Sequence, residues 1–204
     1  MSSPAHWNNI YRTKQRNEVS WYAPHLDRSL SLITEAAPNK VAEIIDIGAG
    51  ESTLVEDLID REYYNLSLLD ISDAALSATK ERLGKQGDSI KWYVGDITST
   101  VLPADRFYVW HDRAVFHFLL DASQRAAYAA QLRRSVKVGG QVIIATFAQD
   151  GPLKCSGLPV ARYSATSLSA ELGDEFELVN QVNEEHLTAA GSIQNFIYCQ
   201  FHRI

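Results

Sequence analysis

Two periodicities take turns along this chain. In Leu26-Asp-Arg-Ser-Leu30-Ser-Leu32-Ile33 apolar residues recur at helical spacing and stop before Pro38, whereas Val41-Ala-Glu-Ile-Ile-Asp-Ile47 is a short β-branched run ending at Gly48. Ser52-Thr-Leu54-Val55-Glu-Asp-Leu58-Ile59 returns to the helical period. The exchange repeats: a strand over Asn65–Asp70, a helix from Leu76 to Leu83 with Ser72 as N-cap and Gly84 as stop, and strands over Ile90–Val94 and Phe107–His111. A helix from Ser123 to Val136, a Gly139-Gly140 turn and a strand over Gln141–Phe147 follow. Such alternation specifies a parallel sheet covered by helices on both faces. The last third breaks the rule. After a short helix over Ala165–Leu172, the strands Phe176–Val182 and Gln194–Phe201 have too little chain between them for a crossover, so they form an antiparallel pair.

Composition narrows the class. With 204 residues, 46% hydrophobic and 22% charged, the chain has one domain's length and can bury a full core. No repeat or linker divides it, so residues 1–204 read as one domain, with 1–40 a helical cap that forms the substrate region and 41–204 the ligand-binding core. Ser3-Pro4 starts the first helix of the cap. A formal net charge of −6 and the lack of any Lys/Arg run argue against nucleic acid or an anionic membrane as partner. No apolar stretch approaches a membrane span and the N-terminus has no signal-like apolar region, so a cytoplasmic location is expected. Cys155 and Cys199 lack disulfide or zinc spacing, and no metal is expected. The oligomeric state is not legible.

Chemistry gathers at the strand ends. Asp46-Ile-Gly48-Ala-Gly50-Glu-Ser52 places two glycines between a strand and a helix, where backbone comes close to a ligand or simply makes a tight turn. Asp70 ends the second strand, with Ile71 beside it, and a carboxylate there can accept both hydroxyls of a ribose. Asp96-Ile97 ends the third, where an Asp can take an adenine amino group while Ile97 covers the ring. Ser52 stands where a dinucleotide site has its third glycine, and no basic cluster is nearby to meet phosphates, so the site suits a nucleoside without phosphates.

With these motifs, and His111-Asp112-Arg113 at the fourth strand end, the chain resembles class I S-adenosylmethionine-dependent methyltransferases. His6-Trp7, Tyr11, Glu18-Val-Ser-Trp21-Tyr22, Leu69-Asp-Ile-Ser72 and Asp112-Arg-Ala-Val-Phe-His117 are similar to bacterial type-12 methyltransferases and, more distantly, to methyltransferase-like lysine methyltransferases. Asp112-Arg113 is remotely similar to thiopurine methyltransferases. The resemblance implies a Rossmann-like, mostly parallel seven-stranded sheet with a C-terminal antiparallel hairpin. It also implies S-adenosylmethionine as cofactor and S-adenosylhomocysteine as product. Gly48 and Gly50, after Asp46, would flank the methionine part, Asp70 and Ile71 the ribose, and Asp96 and Ile97 the adenine, with His111 nearby. The N/D-P-P-Y/F signature of amino methylation is absent.

The acceptor stays open between a small molecule and a protein side chain. His111 and Asp112 are the expected catalytic pair if a base is needed, with His117 a further candidate facing the substrate. Trp21 and Tyr22 either close over the cofactor or wall the acceptor site. Residues 148–164 form the longest irregular stretch, in which Cys155, Arg162 and Tyr163 are placed to border the acceptor. Two other readings share the first turn: a nicotinamide-dependent oxidoreductase, disfavoured by Ser52 and the hairpin, and a cofactor-binding module that serves a partner protein.

Overall fold

A computed structural model of the chain describes residues 3–204. Its strands are β1 (Ile44–Ile47), β2 (Leu66–Asp70), β3 (Lys91–Val94), β4 (Phe107–Arg113), β5 (Val136–Phe147), β6 (Lys154–Cys155), β7 (Leu158–Pro159), β8 (Phe176–Leu187) and β9 (Ile193–Arg203). The helices are α1 (Pro4–Thr13), α2 (Asp27–Ala36), α3 (Leu54–Asp60), α4 (Asp73–Leu83), α5 (Ala122–Ser135) and α6 (Ala165–Leu172). Seven strands make one sheet in the order β3-β2-β1-β4-β5-β9-β8. The first five are parallel, and β9 and β8 join antiparallel, as the alternation and the C-terminal pair require.

Strand pleating divides the core in two. Ile44, Val109, Ile143 and Ala145 face α2, α3 and α4 through Leu30, Ile33, Leu54, Leu58 and Leu76. Ile45, Ile47, Trp110, Val142 and Ile144 face α5 and α6 through Tyr128, Leu132, Leu168 and Leu172. The last strand lies inside the sheet and the one before it at the edge. Burial decides this order: β9 carries Phe196, Tyr198, Cys199 and Phe201, all buried, while β8 leaves Glu177, Asn180, Gln181 and Glu185 to solvent, as suits an edge.

Several local expectations change. Gly139 and Gly140 do not separate helix from strand, because β5 begins before them at Val136. Phe107 pairs with Val136 and Val109 with Gln141, so the glycines absorb a register shift within the ladder, with Gly139 at φ +82°. The 148–164 stretch is less irregular than its composition suggests. Ser156 and Gly157, at φ +51° and +78°, turn Cys155 back onto Leu158 as a two-residue hairpin, the conformation a primed turn needs. Phe116–Phe118, between β4 and α5, is a single 3-10 turn. Among the described residues no helix is long and apolar enough to cross a membrane.

Candidate active site

The carboxyl ends of β1 to β4 open on one cleft of about 1110 Å³, mouth included. Gly48 and Gly50, at φ +68° and +53°, shape the turn leaving β1. A Cβ on Gly48 would lie 2.0 Å from Val115 Cγ2, and one on Gly50 2.5 Å from the Tyr11 hydroxyl. The turn is therefore clamped from both sides. Asp70, 5% exposed, accepts the Gly50 amide at 2.9 Å and the Ser72 amide at 2.7 Å, one on each oxygen. Burial pushes its carboxyl up to about 6 against the pull of those amides, and nearby Asp46 adds to the rise. Asp96 receives the Thr98 amide and hydroxyl on one oxygen, at 2.8 and 2.7 Å. Ile71 and Ile97 supply apolar surface beside these two carboxylates.

The end of β4 works on two faces. His111 and Arg113 share one, and Asp112 looks the opposite way, toward α5. His111, 1% exposed, has both ring nitrogens engaged, with Asp46 at 2.6 Å and the Ser29 hydroxyl at 2.9 Å. Asp112 is fully buried and accepts the Tyr128 hydroxyl at 2.7 Å and the Val115 amide at 2.9 Å. Tyr128 in turn accepts the Trp110 indole N–H at 2.9 Å. Burial pushes the Asp112 carboxyl up to about 6, while these donors pull it back. Arg113 donates Nε–H to Tyr198 at 3.0 Å and Nη1–H to the Trp21 carbonyl at 3.1 Å.

The opposite wall comes from remote segments. The Asn8 side-chain oxygen accepts the Ser72 hydroxyl at 2.7 Å and the Ala74 amide at 3.1 Å, which pins α1 over the start of α4. Trp7 then packs edge to face on Phe118 and on Trp21, at centroid distances of 5.2 and 5.7 Å, and Tyr11 edge to face on Trp21 at 6.3 Å. Cys155 reaches this wall from the small hairpin, and burial pushes its thiol up to about 12, so it stays protonated near neutral pH. Tyr22, Arg16 and His111 border a smaller recess that adjoins the Gly48–Ser52 turn.

Set against the sequence-based expectations, Gly48, Asp70, Ile71, Asp96, Ile97 and Trp21 line the cleft; Gly50, Asp46, Tyr22 and His111 line the recess. Five expectations are corrected. His111 has both ring nitrogens hydrogen-bonded within the protein, to Asp46 and to the Ser29 hydroxyl, so neither is directed to an acceptor in the cleft. Asp112 is spent on Tyr128 and the turn at Val115, on the far side of β4. His117 is fully buried between Phe118 and Phe147, and desolvation lowers its pKa to about 3, so it remains neutral and away from the cleft. Arg162 donates to the Gly151 carbonyl at 3.2 Å and braces its own loop. Tyr163 packs on Phe116 inside the core. Trp7, Tyr11, Phe118 and Arg113 were not singled out as a wall. The one available signal was the spacing of Arg113 two residues after His111, which puts both on one face of a strand.

Residues 44–140 match the family model of the methyltransferase domain. Over 158 residues the chain is 25% identical to the mouse eEF1A lysine and N-terminal methyltransferase, covering 74% of this chain and 22% of that protein. It thus spans about a fifth of the length of the curated relatives it matches. Among solved structures, the N-methyltransferase NodS of Bradyrhizobium japonicum, with S-adenosylhomocysteine, superposes at a TM-score of 0.73 with 15% identity over 97% of this chain and 98% of that one. The 1,6-didemethyltoxoflavin-N1-methyltransferase of Burkholderia thailandensis, with its acceptor and S-adenosylhomocysteine bound, gives 0.72 at 12% identity, covering 100% of this chain and 91% of that one.

Proposed function

We propose that this chain, whose residues 44–140 match the methyltransferase-domain model, is a class I S-adenosylmethionine-dependent methyltransferase that transfers a methyl group from that cofactor to an acceptor held in the same cleft. The observation that carries the reading is the alignment of the Gly48–Gly50 turn, Asp70 and Asp96 on the ends of three adjacent parallel strands. The donor set fits the group. Asp70 would take the ribose hydroxyls on the acceptor capacity its two amides leave, Asp96 the adenine amino group on its second oxygen, with Ile71 and Ile97 along the base. Backbone exposed by Gly48 and Gly50 would meet the methionine end.

When bound, S-adenosylmethionine supplies a methyl group on a sulfonium whose neutral thioether departs without protonation. The chain's own residues then have mainly to align and to exclude water. Trp7, Tyr11, Trp21 and Phe118 close the side opposite the strand ends. His111 takes a positioning role: held by Ser29, it fixes the Asp46 carboxylate at the start of the glycine turn. Asp112 fixes the Ala114–Phe116 turn through the Val115 amide, so the catalytic pair expected at this strand end becomes scaffold. The acceptor class divides between the protein amines named for the relatives and a small molecule such as the one held by the Burkholderia enzyme. Calorimetric titration with S-adenosylmethionine, S-adenosylhomocysteine and NAD tests the reading. Binding of the first two alone supports it; binding of NAD alone, or of none, removes it.

A further inference from the structure

Among the described residues Arg113 is the one cation that reaches both the cleft and the recess, and it is 9% exposed. Its surroundings engage two of the three guanidinium nitrogens. Nε–H goes to the Tyr198 hydroxyl, Nη1–H to the Trp21 carbonyl, and the flat face lies 4.6 Å from the Phe196 ring centroid. Nη2 is buried and has no hydrogen-bond partner. Among the described residues no carboxylate forms an ion pair with it: Glu184 stands beyond Tyr198, at 3.4 Å from that hydroxyl, and pairs with Arg28 at 3.8 Å. A guanidinium cannot shed its charge, and a buried charge with an open N–H edge is costly unless a ligand completes it.

We propose that Arg113 is the receptor for a carboxylate, and that the methyl acceptor brings it. Guanidinium and carboxylate match in plane and in donor spacing, which a compact ammonium or hydroxyl does not reproduce. Two observations assign the carboxylate to the acceptor rather than to the methionine end of the cofactor. Arg16 already borders the recess beside Gly48–Ser52, where that end would lie. On its cleft side Arg113 instead neighbours Trp21, Phe118 and Cys155, across from Asp70 and Asp96. An acceptor with a flat apolar body fits against Trp7, Trp21 and Phe118, with its carboxylate on Nη2. A lysine ammonium at this place would face a like charge. This assignment rests on the methyltransferase reading and names the substrate class of the same site.

The test is calorimetry on the wild-type chain, Arg113→Met and Arg113→Lys, with melting curves to verify folding. The probes are benzoate, phenylacetate and indole-3-acetate, each against its neutral amide, together with phenethylamine. They are titrated into the protein alone and into protein saturated with S-adenosylhomocysteine. S-adenosylhomocysteine and 5′-methylthioadenosine, which lacks the amino-carboxylate end, are titrated separately. We expect at least one carboxylate to bind wild type tenfold or more tightly than its amide. Arg113→Met should erase that preference, Arg113→Lys should keep part of it, and S-adenosylhomocysteine affinity should be preserved in both. No carboxylate preference in wild type, or preference for the amine, overturns the proposal without needing any variant. A tenfold loss of S-adenosylhomocysteine affinity in Arg113→Met, with methylthioadenosine unaffected, also overturns it by placing the carboxylate on the cofactor. If wild type binds neither nucleoside, the cofactor reading falls, while the carboxylate-against-amide comparison on the protein alone still decides Arg113.

Discussion

The strand-end wall of the cleft and the wall facing it are built in opposite ways. The first runs through residues 46–97 in chain order: each parallel strand ends, the backbone turns, and one side chain is left at the edge. Its polar groups are held by neighbours in the same turns, as Asp70 by the Ser72 amide and Asp96 by Thr98. The facing wall joins Trp7, Trp21, Phe118 and Cys155 from four separate segments, and its central polar group, Arg113, is left one partner short. The contrast teaches that a site made of turns arrives complete with the sheet, whereas a site made of side chains from distant segments is finished by its ligand.

The sharpest way to break the first wall is Gly48→Ala. A left-handed backbone costs about 1–2 kcal/mol for a residue with a Cβ, and the overlap with Val115 adds about 1–3 kcal/mol of overpacking. We expect a loss of about 2–5 kcal/mol in urea unfolding, and a loss below 1 kcal/mol would show that the turn is not clamped as described. Asp70→Asn should leave the fold in place but weaken S-adenosylhomocysteine binding by about 1.5–3 kcal/mol, roughly ten- to a hundredfold, in calorimetry. Unchanged affinity would remove Asp70 from the cofactor site.

Tyr128→Phe sharpens the comparison from the other face of β4. It strips Trp110 and Asp112 of a shared partner, so denaturation should show a cost of about 1–3 kcal/mol while S-adenosylhomocysteine affinity stays at the wild-type value. A fall in affinity there would mean that Asp112 acts on the cleft after all. The smallest effect is in pH. As the pH falls through about 6, Asp70 takes a proton and loses acceptor capacity, so cofactor affinity should decline about tenfold for each further unit, and Asp70→Asn should flatten that slope.

Stability in the same window runs the other way. Asp70 and Asp112 both titrate near 6 in the folded chain, above the ordinary 3.8. The folded state therefore holds more protons than the unfolded one between those values, so the two groups add stability as the pH drops from about 6 toward 4 and withdraw it as the pH rises.

Most of the fold and the strand-end side of the cleft were readable because they rest on local rules. Val41–Ile47 ending at Gly48 declares a strand and turn by its own composition, and parallel pairing then places Asp46, Asp70 and Asp96 on one edge without further information. Two features at the margin were not readable for a common reason. Gly139-Gly140 reads as a turn but serves as a bulge, because only the partner β4 defines the register it must absorb. The stretch around Ser156-Gly157 reads as irregular but forms a two-residue hairpin, and nothing nearby in sequence says that it delivers Cys155 to the cleft.

The clearest divide falls within His111-Asp112-Arg113. By itself the sequence determined that these residues end a strand at the ligand edge, and that 111 and 113 share a face opposite 112, since side-chain alternation is a property of the backbone. Only the tertiary structure decided their duties. Ser29 and Asp46 engage both nitrogens of His111, Tyr128 claims Asp112, and among the described residues no carboxylate forms an ion pair with Arg113. A residue's chemical availability is what remains after its neighbours have made their hydrogen bonds, and those neighbours, up to 92 positions away for Arg113 and Trp21, are assembled by packing rather than by local spacing.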